Sequence, residues 1–320
     1  MTRRFSVVVS RGQTLHPDRQ ALEQQLVSQL ARDGYGDVLV VPYLYDLDGG
    51  GPGMAALREI GGELIVLAWL YPRATRWILD RQGIRGQPGR TGLDDEPLPS
   101  AAGPSPDAST AAPLAALEDL PRRIYCLDLR RHGTVEPYVE AIRQIVRAES
   151  QAAAVETGSL AQVRSIDEQV KRRWYPVIDF SRCTNCLECI DFCLFGVYGV
   201  DEADRVLVEL PDHCRKGCPA CSRVCPEQAI LFPQHKLPAI AGGMLDPGGL
   251  KMDLTSLFGA ADDFLGARDI AARERDEHLL IAGQRPVGAA SPSPDPLATG
   301  SAEKKDELDA LIDQLDAMDL

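Results

Sequence analysis

Apolar residues in the first half of the chain come in two rhythms, short unbroken runs and stripes at helical spacing. FSVVVS (5–10), DVLVVPYLY (37–45), ELIVLAWL (63–70) and RIYCLDL (123–129) are the runs. Near-continuous Val, Ile and Leu is the pattern of a strand covered on both faces. Between the runs, Leu22, Leu26, Val27 and Leu30 mark one face of a helix predicted over 17–32, with Pro17 in its first turn and Gly34 as its stop. Shorter helices are predicted over 54–60 and 73–81. Val135, Val139, Ile142 and Val146 mark another, running to residue 153. Strands that alternate with helices imply a parallel sheet with right-handed crossovers. Residues 1–155 are therefore expected to form an α/β domain on a small doubly wound sheet.

Beyond this domain the rhythm changes. Residues 87–113 interrupt it with Pro, Gly, Ser, Ala and Asp and no apolar period, as expected of a disordered insertion between the third and fourth runs. Residues 156–173 read as a connector. YPVIDFSRC (175–183) reads as an extended strand, and VYGVDEADRVLVEL (197–210) alternates on both sides of a polar turn, a hairpin pattern. These belong to a second predicted domain, 174–238, followed by a loop-and-helix extension over 239–283 with its charged helix at 262–280. A Pro/Ser/Ala-rich linker is expected over 284–303. In 304–320, Leu308, Leu311, Ile312, Leu315 and Met318 keep helical spacing among Asp and Glu, an acidic amphipathic helix suited to a partner's groove.

Charge narrows the classes of partner. The net charge is −13 and the pI about 4.9, which argues against nucleic acid and suits a carrier that meets basic patches on other proteins. LIVLAWLY (64–71) is too short to span a bilayer. MTRRFSVVVS at the start does not make a secretory signal, so the cytoplasm, where thiols stay reduced, is the expected setting.

Nine cysteines carry the candidate chemistry, eight of them between 183 and 225. Cys183, Cys186, Cys189 and Cys193 read C-x2-C-x2-C-x3-C. Cys214, Cys218, Cys221 and Cys225 read C-x3-C-x2-C-x3-C and precede Pro226. Three thiolates within seven or eight residues wrap one small iron–sulfur cube and turn loop amides toward its negative charge. Zinc is the other reading, since structural zinc also takes four thiolates, but from two separated pairs. Disulfides do not suit the expected compartment. Cys126 stands apart inside RIYCLDL and is expected to be a buried small hydrophobe.

The stretch from Trp174 to Pro233, with both motifs and the closing CPEQAILFP (225–233), resembles the bacterial-type ferredoxin with two [4Fe-4S] clusters. The resemblance implies an α+β ferredoxin-like domain in which the fourth cysteine of each motif serves the other cluster. Cys183, Cys186, Cys189 and Cys225 would hold cluster 1, and Cys214, Cys218, Cys221 and Cys193 cluster 2. It also implies a redox partner protein. The chain departs from the family twice: Leu194 stands where a proline usually follows, and Arg215, Lys216 and Gly217 lengthen the second loop by one residue.

The α/β domain offers a weaker site. In open sheets ligands bind beyond the carboxyl ends of the strands. Arg11, Arg73 and Arg76 could hold an anion there, and Gly49, Gly50, Gly51 and Gly53 permit close backbone approach. No G-x-G-x-x-G or Walker pattern is present. The layout, flavodoxin-like or chelatase-like, is similar to domains of the sirohydrochlorin cobaltochelatase type, which use histidines; here the half offers only His16 and His132. LIVLAWLYPRA (64–74) is similar to a strand–Ser–Pro–Arg segment of heterodisulfide reductase. Three readings stay open: an electron-transfer protein or subunit, an iron–sulfur oxidoreductase with a substrate at the α/β domain, and a regulatory protein with structural clusters.

Overall fold

The structure, a computed structural model, describes residues 5–14, 16–93, 120, 122–152, 161–243 and 264–287. The chain divides into two compact units, Met1–Arg275 and Asp276–Leu320. The first holds the α/β layer and the cysteine-bearing layer together. Of the second, the described part is the end of a helix that stops at Gly283, where φ is 72° and the Gln284 N–H returns to the Leu279 carbonyl.

The unbroken apolar runs form the centre of a parallel sheet. β1 (Phe5–Ser10) lies between β2 (Asp37–Val41) and β3 (Glu63–Ala68), and β5 (Arg123–Asp128) follows β3. Every residue of β3 is buried, as its sequence predicts. The order places β1 at the point where the connections change direction, the switch point of doubly wound sheets. Helices α1 (Pro17–Asp33), α2 (Pro52–Glu59), α3 (Pro72–Arg81) and α4 (Glu136–Ala152) link the strands. α1 begins at Pro17 and ends at Gly34, whose φ of 66° lets its N–H reach the Leu30 carbonyl.

Two edge strands extend the sheet to the order β4-β5-β3-β1-β2-β6. β4 (Gln87–Pro88) is the start of the segment expected to be a disordered insertion. Gln87 and Gly89 donate backbone hydrogen bonds to the β5 side, so its first residues are ordered, and 94–119 lie outside the described residues. β6 (Val163–Ser165) comes from the expected connector and pairs parallel with β2. It is exposed along its length, so no apolar run announces it. Pairing here rests on backbone hydrogen bonds and on exposed polar side chains, neither of which leaves an apolar pattern.

The cysteine-bearing layer holds two small antiparallel pairs. β7 (Val177–Ile178) pairs with β10 (Ile230–Leu231), and the expected hairpin forms as β8 (Tyr198–Val200) with β9 (Val206–Val208). The extended strand expected over 175–183 is thus only two residues long. Short helices α5 (Glu188–Phe192), α6 (Ala220–Val224) and α7 (Pro238–Ala241) complete it, and α8 (Phe264–Ile281) is the charged helix of the extension. The expected linker beyond Val287 and the amphipathic helix at 304–320 lie outside the described residues.

A buried tyrosine bracket joins the layers. The rings of Tyr45 and Tyr175 stack at 4.3 Å. The Tyr45 hydroxyl donates to the Tyr175 carbonyl and accepts from its N–H at 2.6 Å, while the Tyr175 hydroxyl donates to the Tyr45 carbonyl at 2.9 Å. Tyr45→Phe removes both partners of the Tyr175 peptide in a dry place. Chemical denaturation of that variant is expected to show a loss of about 1–3 kcal/mol, the cost of stranding buried polar groups. An unchanged midpoint would mean that the bracket adds nothing to the joint.

Candidate metal centres

The eight clustered cysteines fall into two sets of four. Cys183, Cys186, Cys189 and Cys225 line one cavity, and Cys193, Cys214, Cys218 and Cys221 line another. Each motif thus gives three cysteines to one cavity and its fourth to the other.

Two short helices produce the crossing. α5 carries Cys189 within it and Cys193 at its end; α6 carries Cys221 within it and Cys225 at its end. Four residues apart on a continuing helix, each pair would share a face. Both terminal cysteines leave the helical conformation instead, at φ −81°, ψ 110° for Cys193 and φ −66°, ψ 113° for Cys225. Their N–H groups still close the last turn on the Cys189 and Cys221 carbonyls, at 3.1 and 3.2 Å, while their side chains turn to the opposite cavity. Pro226 biases Cys225 toward this extended conformation. Cys193 reaches it with Leu194 behind it, so the missing proline leaves the local geometry intact.

The loops ahead of the helices differ. In the first, Asn185 and Leu187 sit at φ 59° and 63°, a conformation that costs a non-glycine residue of order 1–3 kcal/mol. Asn185 is pinned there by the hairpin: its side chain donates to the Asp204 carbonyl and accepts from the Val206 N–H, both at 2.8 Å. In the second, Gly217 at φ 88° takes up the additional residue, and the Cys218 N–H turns back to the Arg215 carbonyl.

Electrostatics follow the same division. Burial pushes the Cys189 thiol up to about 12, and the thiols that add repulsion are Cys183, Cys225 and Cys186. Burial pushes Cys221 well up, with repulsion from Cys214, Cys193 and Cys218, although a hydrogen bond from Tyr198 favours its thiolate. Cys218 is raised to about 11, again chiefly by burial. Thiols so placed stay protonated at neutral pH, and binding iron or zinc is what turns them into thiolates.

The donor sets fit a cube better than a single ion. Among the described residues no three His, Cys, Asp or Glu side chains form a group able to hold one metal ion. Four thiols that line one cavity match the corners of a cluster. The two cavities are unequally covered: Cys186 at the first is exposed, whereas Cys218 and Cys221 at the second are buried. Ala271 of α8 packs with Phe192, Cys218 and Val224, and the Arg275 guanidinium lies 4.7 Å from the Phe192 ring at the wall of that second cavity.

The candidates in the α/β layer take other partners. Arg11 donates to Ser165 of β6 at 3.2 Å. Arg73 is buried and faces the cysteine-bearing layer, where its Nε pairs with Asp179 at 2.5 Å and its Nη2 donates to the Gln228 carbonyl at 2.8 Å. Arg76 lies over the Trp77 ring at 5.5 Å. The three therefore do not form a common anion clamp. In the glycine loop, Gly51 and Gly53 make room for the Glu168 carboxylate, which accepts from the Gly53 N–H at 2.8 Å. The helix N-terminus that could have drawn an external anion receives one from the chain itself. Gly49 lends its carbonyl to Arg58, and Gly50 continues the turn. His16 precedes α1 near Asp18, and His132 packs edge-on to Tyr138, so the two are not brought together on one metal. Cys126 is buried in β5.

Sequence comparison bears on the cysteine-bearing layer. An uncharacterized ferredoxin of Methanocaldococcus jannaschii is 48% identical over 66 residues, 20% of this chain and 44% of the relative. Pyruvate synthase subunit PorD of the same organism is 36% identical over 59 residues, 18% of this chain and 66% of the relative. The chain carries a ferredoxin-type region. The matches are comparable in length to the stretch from Trp174 to Pro233, and the chain spans less than half of the first relative and about two thirds of the second. No family model and no solved structure matches the chain. Sequence comparison thus supports a ferredoxin-type region, and the structure shows a six-stranded parallel sheet with helices. No described helix is long and apolar enough to cross a membrane.

Tyr198 and Glu168 were not marked as site residues by their sequence context. Tyr198 reads as one apolar position of a hairpin, and Glu168 as one charge in a polar connector. No local signal distinguishes either, because the partner of each lies far along the chain.

Proposed function

We propose that this chain relays single electrons through two [4Fe-4S] clusters, as a carrier or as one component of a larger redox assembly. Cys183, Cys186, Cys189 and Cys225 would hold cluster 1, and Cys193, Cys214, Cys218 and Cys221 cluster 2. The observation that carries the reading is the pair of four-thiol cavities. When bound, each cluster supplies a one-electron couple whose potential depends on charge, hydrogen bonds to sulfur and exposure. The protein's share is to hold the thiols, aim donors at them and control access. Exposed Cys186 offers the first cavity to a partner, while the apolar wall of Phe192 and Phe195 and the α8 contact shield the second. Glu188 and Glu227 at the first cavity, with the net charge of −13, favour a partner with a basic face. PorD, as a pyruvate synthase subunit, supports the view that electrons pass to or from another protein.

Anaerobically purified protein is expected to contain iron and acid-labile sulfide in equal amounts, enough for two cubes per chain. Reduction should give the electron paramagnetic signal of two interacting clusters. Stoichiometric zinc with little sulfide would overturn the reading. Clusters that cannot be reduced and reoxidised would leave only a structural role.

A further inference from the structure

Backbone amides donate to cysteine sulfur at both cavities, from Ala229 at Cys225 and from Ala220 at Cys218, and the second cavity also receives a side-chain hydroxyl. At the first, the Ala229 backbone N–H points at the Cys225 sulfur at 3.3 Å, the amide donation expected of a loop wrapped around a cluster. At the second, a side chain reaches in. The Tyr198 hydroxyl lies 3.0 Å from the Cys221 sulfur, and both groups are buried.

Several features fix that contact. Tyr198 begins β8 and is paired with Val208 of β9, so the hairpin sets where its ring can go. The ring belongs to the wall of the second cavity, which beside its cysteines is otherwise apolar except for Arg275. A phenol needs a partner when buried, since an orphaned hydroxyl costs of order 1–3 kcal/mol. The Cys221 sulfur is the acceptor given to it. The phenol O–H is thus the donor of the contact.

We propose that Tyr198 sets the potential of the cluster held by Cys221. The inference rests on the two-cluster reading above. A hydrogen bond to a cluster sulfur withdraws electron density from the iron–sulfur bond and stabilises the reduced, more negative state. Taking up one electron is therefore easier at cluster 2 with the phenol in place than without it. The ring would be a tuning group that touches a ligand, and it transfers no proton or electron of its own. A purely packing role would need only the ring, and phenylalanine would serve it equally well.

The test is Tyr198→Phe in the full-length chain, with iron and sulfide content measured first and then a potentiometric titration followed by electron paramagnetic resonance. The expected result is full cluster content, with one midpoint shifted to lower potential and the other unmoved. Cys193→Ala, which targets cluster 2, assigns the shifted signal. Resonance Raman spectra of the wild type in heavy water should show a deuterium-sensitive iron–cysteine stretch that the variant lacks. Site-specific 3-fluorotyrosine at position 198, a stronger donor of nearly the same shape, should move the same midpoint upward and serves if the phenylalanine variant does not load. Unmoved midpoints at full content, or a shift confined to cluster 1, would overturn the role of Tyr198. Absence of clusters from the wild type would instead overturn the reading beneath it.

Discussion

Cys193→Ala is expected to cut the iron and sulfide of the purified protein to about half, and the loss should fall on the cluster of the second motif. Cys193 belongs by sequence to the first motif, yet its side chain lies with Cys214, Cys218 and Cys221. The physical cause is the break in helical conformation at the end of α5, which turns the fourth cysteine away from Cys189. Cys225→Ala should act in mirror fashion and spare the second cavity, because Cys225 lies with Cys183, Cys186 and Cys189. Iron analysis and the magnetic signal of each variant check the pair. If Cys193→Ala removes only the cluster of the first motif, the crossed assignment is wrong.

Arg73→Ala should be the most damaging single change outside the cysteines. The Arg73 side chain is 6% exposed and that of Asp179 2%. The arginine braces both segments that flank the first cavity. Asp179 receives the Cys183 N–H on its carbonyl, and Gln228, held at φ 50°, is followed by the Ala229 amide that bonds to Cys225. Removing one member of a buried pair costs up to about 3–5 kcal/mol, and the Arg182 guanidinium 3.8 Å from Asp179 offsets part of that loss. In a chain of this size the full cost corresponds to a fall in Tm of roughly 6–20 °C. Asp179 keeps its bonds from Ser181. Arg73→Lys retains the charge but not the fork and should fall between the two. The first cluster should also release iron faster in Arg73→Ala while the second does not. Equal lability of both, or an unchanged Tm, would mean that Arg73 does not brace the first cavity.

The central strands could be read in the sequence because burial on both faces leaves an apolar run, and β1, β2, β3 and β5 all begin where those runs begin. The long helices were legible from Leu22, Leu26 and Leu30 and from Pro17 and Gly34. β4 and β6 were not, since the pairing of two or three edge residues leaves no apolar pattern. The two cysteine motifs were legible from their spacing, whereas the exchange of their fourth cysteines followed from the resemblance to two-cluster ferredoxins. The direction of Arg73 was not: a loop position after β3 suggested an external anion, and the acceptor turned out to be Asp179, more than a hundred residues on. The glycine loop misled in the same way, because Glu168 arrives from a segment with no pattern of its own.

The exchange of terminal cysteines between α5 and α6 has a consequence for synthesis. As the chain leaves the ribosome, Cys183, Cys186 and Cys189 emerge first, but their fourth companion, Cys225, emerges last of the eight. The quartet of Cys193, Cys214, Cys218 and Cys221 is complete earlier. The cavity served by the first motif is thus the one whose four cysteines are completed last along the chain.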